Sequence, residues 1–291
     1  MTRPRRSLLY MPASNLRAIE KARDLPCDAV VLDLEDAVAP EAKAAARETA
    51  LAVVREGGFG RRELIVRANG LDTPWGRDDL AALAIAGPDA ILVPKVNDAA
   101  EVAAYDALIA AAPAHTGLWA MIETARAMFR LEEIAAQART TRLSGWVMGT
   151  NDLAKEMRAT LDVERVPFLG FLAQSVAAAR AYGLTILDGV FNAIDDDAGL
   201  EAQCRQGRAF GFDGKTLIHP KQIGTCNRVF TPSDAELAAA QAVVAAFALP
   251  ENADKGALRV DGRMVERLHL AEAEAMIALR AMTDASGTPA S

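Results

Sequence analysis

Cysteine and histidine are scarce here, three of each among 291 residues. Cys27, Cys204 and Cys226 are odd in number and lack CxxC spacing, which argues against a disulfide framework and a zinc site. A reducing cytoplasm is the simplest setting. His115 and His269 have no partner at metal spacing, and a lone His219 is more often a hydrogen-bonded structural residue than a base. No stretch reaches the roughly 18 uninterrupted apolar residues of a membrane span. Arg3-Pro4-Arg5-Arg6 followed by Ser7–Met11 superficially looks like a twin-arginine leader. Its apolar run stops at Pro12, short of the roughly 7 to 15 residues such a leader needs, so export is not expected. Also missing are a GxGxxG turn after the first strand-like run, Walker spacing in Gly211–Lys215, and any internal repeat. With a net charge of −7, the chain has no general attraction for nucleic acid or an anionic membrane.

What is abundant is apolar sequence, 51% of residues, against 24% charged. That supports a large core, and barrels of alternating strands and helices often reach this length as one domain. Eight short runs read as strands: Ser7–Met11, Ala29–Leu34, Glu63–Ala68, Ala90–Val96, Gly117–Glu123, Gly145–Gly149, Thr185–Val190 and Lys215–His219. Helical patterns lie between them: Leu16, Ile19 and Ala22 after a cap at Ser14, then Ala42–Val54, Ala99–Ala111, Met128–Ala138, Phe168–Tyr182 and Leu200–Phe210. Continuous apolar strands separated by helices predict a parallel sheet covered on both faces, and eight of them predict closure into a (β/α)8 TIM barrel over residues 1–224. An open doubly wound sheet is the alternative. Pro232–Leu249 and Val265–Met282 predict a C-terminal helical extension, 225–282, packing on the barrel or on a neighbouring subunit. Residues 283–291, rich in Ser, Gly, Thr and Pro, read as a disordered tail.

Several strand-like runs end on charge: Asp33-Leu34-Glu35-Asp36, Arg67, Lys95, Glu123 and Asn151-Asp152. In a parallel barrel these ends form the active face. Glu123 and Asp152, on adjacent strands, could share one cation; oxygen ligands indicate magnesium or manganese. The plainer reading of each is a solvated carboxylate or an ion-pair partner. Arg67 presents a planar fork suited to a carboxylate or enolate oxygen, or to an ion pair with Glu35 or Asp36. Alternation puts Asp33 and Glu35 on one side and Asp36 on the other. Lys95 could be a Schiff-base amine, but neighbouring carboxylates favour a charged electrostatic role.

RSLLYMPAS (6–14), VVLDLEDAV (30–38), VRANGLDTPWGRDDL (66–80), ILVPKV (91–96), MIETARA (121–127), GTNDLA (149–154), GFDGKTLIHPKQI (211–223) and VFTPSDAE (229–236) run in family order, and the chain resembles the citrate lyase β-subunit-like family with its malyl-CoA and citramalyl-CoA lyase relatives. The resemblance implies a homo-oligomer, often a trimer whose extension covers a neighbour's site, with magnesium on Glu123 and Asp152. Arg67 would lie on the oxo-acid oxygens, with Glu35 and Asp36 near the metal's waters. The implied reaction is reversible retro-aldol cleavage of a 3-hydroxyacyl-CoA such as malyl-, citramalyl- or citryl-CoA into a 2-oxo acid and acetyl-CoA or a related thioester. The alternatives are a malyl-CoA-type thioesterase and a complex-bound citrate lyase β subunit acting on an acyl-carrier-protein thioester. For the phosphates of coenzyme A the basic patch expected is Arg17 and Lys21 with Arg5 and Arg6. Two positions depart from the family: Ala13 stands where glycine is usual, and Glu266 replaces the aspartate of Met-Ile-Asp, a candidate acid/base one methylene shorter.

Overall fold

The computed structural model describes residues 3–284. The strands of the barrel are β1 (Ser7–Pro12), β2 (Ala29–Asp33), β3 (Glu63–Arg67), β4 (Ala90–Val93), β5 (Gly117–Ile122), β6 (Leu143–Met148), β7 (Thr185–Asp188) and β8 (Gly214–Leu217). They pair in parallel in chain order, and β8 returns to β1 to close a (β/α)8 barrel. The helices are α1 (Leu16–Ala22), α2 (Lys43–Glu56), α3 (Gly76–Ala86), α4 (Ala99–Leu108), α5 (Ala125–Met128), α6 (Leu131–Ala136), α7 (Thr150–Met157), α8 (Leu169–Ala181), α9 (Asp197–Phe210) and α10 (Gln222–Phe230), then α11 (Asp234–Ala248) and α12 (Arg267–Asp284). Between α11 and α12 lies an antiparallel hairpin of β9 (Ala257–Val260) and β10 (Arg263–Glu266).

The barrel interior follows from a period of two. Leu8, Ala29, Val31, Ile65, Ala90, Leu92, Trp119, Met121, Val147 and Leu187 form one buried cluster, with Tyr10 packed against it. Continuing each row by two residues toward the strand ends reaches Tyr10, Asp33, Arg67 and Glu123. The same alternation that fills the barrel with aliphatic side chains therefore puts a charged layer on its C-terminal mouth. The intervening residues, such as Val30, Leu32, Val66, Ile91 and Trp146, are buried as well. That explains why the strands read as unbroken apolar runs.

The chain divides into two compact units, Arg5–Asn227 and a second built on Arg228 onward. In the second, α11 starts with a capping box in which the Ser233 hydroxyl and the Glu236 carboxylate satisfy each other's backbone donors. Arg280 of α12 ties back to Asp234 at 2.8 Å. Three expectations need correction. The cap of α1 is Asn15, whose side chain accepts from the Ala18 N–H, and not Ser14. Val265 and Glu266 belong to β10, so the helix expected at Val265 starts at Arg267. Thr283 and Asp284, expected in the tail, close α12, where the buried Thr283 hydroxyl donates to the Arg280 carbonyl at 2.8 Å; the rest of the expected tail lies outside the described residues.

Candidate active site

The mouth of the barrel holds a cavity of about 280 Å³ lined by Tyr10, Asp33, Asp36, Arg67, Glu123 and Asp152, among others. Asp33 and Arg67 are register partners on β2 and β3. Their side chains meet as a bidentate pair, Nε to Oδ1 and Nη2 to Oδ2, both at 2.7 Å. The remaining Arg67 nitrogen, Nη1, lies 2.6 Å from Glu35 Oε2 and 3.3 Å from Asp36 Oδ2. Burial works against the Arg67 charge, but Asp33, Tyr10 and Glu35 outweigh it and hold the guanidinium firmly protonated. Asp33 also accepts the backbone N–H groups of Glu35 and Ala37, so it shapes the turn after β2. From below, Lys43 donates to the carbonyls of Leu34 and Glu35. Three carboxylates at one strand end are tolerable because two cations and several donors surround them.

Lys95 is the second connection. It adopts φ +52, a left-handed conformation uncommon outside glycine. Its backbone N–H donates to Glu123 Oε1 at 2.8 Å while its ammonium reaches Glu35 Oε1 at 2.9 Å. Burial opposes the charge, but the Glu35 bond and the Glu123 and Asp152 charges raise the lysine above its usual range, which disfavours a Schiff-base role.

Glu123 is the least satisfied group at the site. It is buried, and Oε2 has no hydrogen-bond partner. Burial, then Glu35 and Asp152, push its carboxyl up to about 8 against the opposing charge of Arg67. Gly149, ahead of α7, makes room for it: a Cβ there would stand 2.2 Å from Glu123 Oε2. A buried carboxylate oxygen without a partner, beside a second carboxylate on the same cavity, is the environment a cation would relieve. Among the described residues no group of three or more His, Cys, Asp or Glu is arranged to hold a metal. That excludes an all-protein cage but suits magnesium, which commonly takes one or two carboxylates and completes its shell with water and substrate oxygens. The residues present therefore fit a divalent cation at Glu123 and Asp152.

The expected basic patch divides in two. Arg17 and Lys21 are exposed on α1, which leaves the mouth side of β1. Arg5 and Arg6 precede β1 and so belong to the opposite end of the barrel. Arg5 clamps both oxygens of Glu63 at 2.6 Å and bonds Thr185 at 2.8 Å, residues that begin β3 and β7. Arg6 bonds Asp28 ahead of β2 at 2.8 Å. These two arginines brace the N-terminal end of the barrel, so the structure does not bring them together with Arg17 and Lys21 as one patch. Glu266 belongs to the second unit, where its backbone N–H donates to His269 Nδ1 at 2.9 Å. The site also contains residues that the charged strand ends did not single out: Tyr10, Lys43 and Gly149, together with Asp33 as the principal partner of Arg67. The β2–β3 register and the period-two rows were the signal that could have found Asp33 and Tyr10.

A closed parallel barrel with an ordered carboxylate and guanidinium cluster over a mouth cavity defines an α/β-barrel enzyme. The chain belongs to the HpcH/HpaI aldolase/citrate lyase family, whose profile matches residues 6–220. It is 50% identical over 285 residues to a (3S)-malyl-CoA thioesterase of Cereibacter sphaeroides (strain KD131 / KCTC 12085), covering 96% of this chain and 98% of that protein. It is 36% identical to an L-malyl-CoA/beta-methylmalyl-CoA lyase of Cereibacter sphaeroides (strain ATCC 17025 / ATH 2.4.3), with 94% of each chain covered. Among solved structures, the CitE protein of Mycobacterium tuberculosis in complex with magnesium, acetoacetate and coenzyme A superposes with a TM-score of 0.77 at 30% identity, covering 96% of this chain and 98% of that one.

Proposed function

We propose that this enzyme is a magnesium-dependent thioesterase of malyl-CoA-type thioesters, releasing coenzyme A and the free hydroxy acid. The observation that carries the reading is Glu123, a buried carboxylate with an unpartnered oxygen on the mouth cavity beside Asp152. Hydrolysis is preferred to carbon–carbon cleavage because the 50% identical relative is a thioesterase whereas the lyase relative is 36% identical.

Bound at Glu123 and Asp152, magnesium would supply Lewis-acid polarisation of substrate oxygens. The rest falls to the chain. Arg67, fixed on Asp33 and held at Nη1 by Glu35, also turns Nη1 toward Asp36, and a substrate carboxylate can take the place of that long 3.3 Å contact. Asp36, exposed and held by that single weak bond, is then the carboxylate positioned to accept the proton of an attacking water. The water oxygen bonds to the thioester carbon, the carbon–sulfur bond breaks, and the proton ends on the coenzyme A sulfur. Arg17 and Lys21 on α1 are assigned to the phosphates of the cofactor portion.

Retro-aldol cleavage is the second reading, favoured by the lyase relative. It needs a proton donor for the acetyl-CoA enolate carbon, and Glu266 from a neighbouring copy is proposed for that step. Incubating the purified chain with (3S)-malyl-CoA and magnesium separates the two. Hydrolysis yields free thiol and malate, cleavage yields glyoxylate with acetyl-CoA, and EDTA abolishes either. Undiminished turnover in EDTA would overturn the metal assignment.

A further inference from the structure

The cavity is rich in negative charge: Asp33, Asp36, Glu123 and Asp152 all line it. Its guanidinium is engaged by Asp33, Glu35 and Asp36. Cleaving a thioester by either route adds charge to one atom, the thioester oxygen. In hydrolysis, attack of water opens the carbonyl and leaves an oxyanion; in retro-aldol cleavage, the electron pair of the breaking carbon–carbon bond makes the same oxygen an enolate. In a pocket of carboxylates whose guanidinium is already engaged, that charge needs a hydrogen-bond donor aimed at the thioester oxygen.

Tyr10 meets that requirement. It lies at the end of β1 on the interior row, its ring stacked under the Arg67 guanidinium at 5.0 Å. Its hydroxyl donates to Met121 Sδ at 3.3 Å, and a thioether sulfur is a weak acceptor. The other pocket hydroxyl on a neighbouring strand, Thr216, is committed to the Asp188 carbonyl at 2.9 Å. Exchanging sulfur for an oxygen that gains charge strengthens the phenol's hydrogen bond, and the gain grows as the reaction proceeds. We infer that Tyr10 is the hydrogen-bond donor to the thioester oxygen of the substrate, an assignment that rests on the thioester reading above. Burial first, and the Asp33, Glu123 and Glu35 charges after it, hold the phenol neutral against the pull of Arg67, so it keeps the proton it donates.

Tyr10→Phe tests the inference, because it keeps the ring on Arg67 and removes only the hydroxyl. With (3S)-malyl-CoA and magnesium, kcat should fall about 100-fold, the scale of losing one oxyanion donor. KM, the melting temperature and magnesium affinity by calorimetry should stay close to those of the unaltered chain. A kcat equal to that of the unaltered chain overturns the inference. So does a loss of kcat matched by a loss of magnesium affinity, which would mean the hydroxyl only supports the site. Absence of thioester turnover by the unaltered chain is a separate result, seen before any variant is made; it defeats the thioester reading and the inference with it.

Discussion

The mouth holds a buried pair that satisfies itself and a buried carboxyl left with one oxygen unpartnered. Asp33 and Arg67 are both buried, and each satisfies the other through two bonds of 2.7 Å. Removing one partner leaves an uncompensated charge in the barrel, so Arg67→Ala should cost about 3–5 kcal/mol of stability, read by chemical denaturation. Glu123 is the reverse case, a carboxylate whose surroundings oppose its ionisation. Glu123→Gln removes a carboxyl that burial, Glu35 and Asp152 force to keep its proton where the unfolded chain has lost it, so at neutral pH the metal-free protein should gain stability while magnesium binding disappears. Equal magnesium affinity before and after the substitution, measured by titration calorimetry, would defeat the assignment of Glu123 as a ligand. Gly149→Ala should have the same consequence for magnesium through space alone, since its Cβ would collide with the Glu123 carboxylate.

At the scale of elements, what distinguishes the basic residues near the start of the chain is the end of β1 they occupy. Arg17 and Lys21 follow the strand on α1; Arg5 and Arg6 precede it and pair with Glu63 and Asp28. Arg17→Ala with Lys21→Ala should raise KM for a coenzyme A thioester about tenfold, and steeply so as salt is lowered, with little change for a short N-acetylcysteamine thioester that lacks phosphates. Arg6→Ala should instead lower the melting temperature and leave KM alone. Steady-state kinetics on the two thioesters checks both. The parallel strands were legible because burial on both faces leaves an unbroken apolar run, as in Ala29–Leu32. Arg5 and Arg6 lie close to Arg17 and Lys21 in sequence but not in space, because β1 carries its two flanks to opposite ends of the barrel. The hairpin β9–β10 was missed because Ala257–Val260 and Arg263–Glu266 mix charge with small apolar stretches and carry no strong alternation. Arg67 was legible as a fork at a strand end, but its commitment to Asp33 follows from the register between two strands, which a single run of sequence does not contain.

For the whole molecule, the raised carboxyl of Glu123 couples folding to pH, and the proposed metal site would couple it to magnesium. A glutamate in the unfolded chain titrates near 4.3, whereas Glu123 is pushed up to about 8 in the fold by burial and by Glu35 and Asp152. Below about pH 4 the carboxyl is protonated in both states and contributes no difference. As pH rises from there to about 8, the unfolded chain gives up its proton while the folded one retains it, so the unfolded state is progressively favoured. The metal-free protein should therefore lose on the order of a few kcal/mol across that window from this group. Asp188 acts with the opposite sign: despite its burial, Lys215 and Arg165 depress its carboxyl, so its contribution is complete above the unfolded value and is lost as pH falls through the acid range. The two effects bracket a stability maximum on the acid side of neutrality in EDTA. On the proposed reading, magnesium at Glu123 and Asp152 would replace the proton, so its binding should strengthen with pH and stabilise the fold most at the alkaline end, by about 2.7 kcal/mol when present at a hundred times its dissociation constant. Urea unfolding at pH 5.5 and 8 should thus show a falling stability in EDTA and a flat or rising one with magnesium. Identical slopes in the two conditions would mean that the orphan oxygen of Glu123 is relieved by something other than a cation.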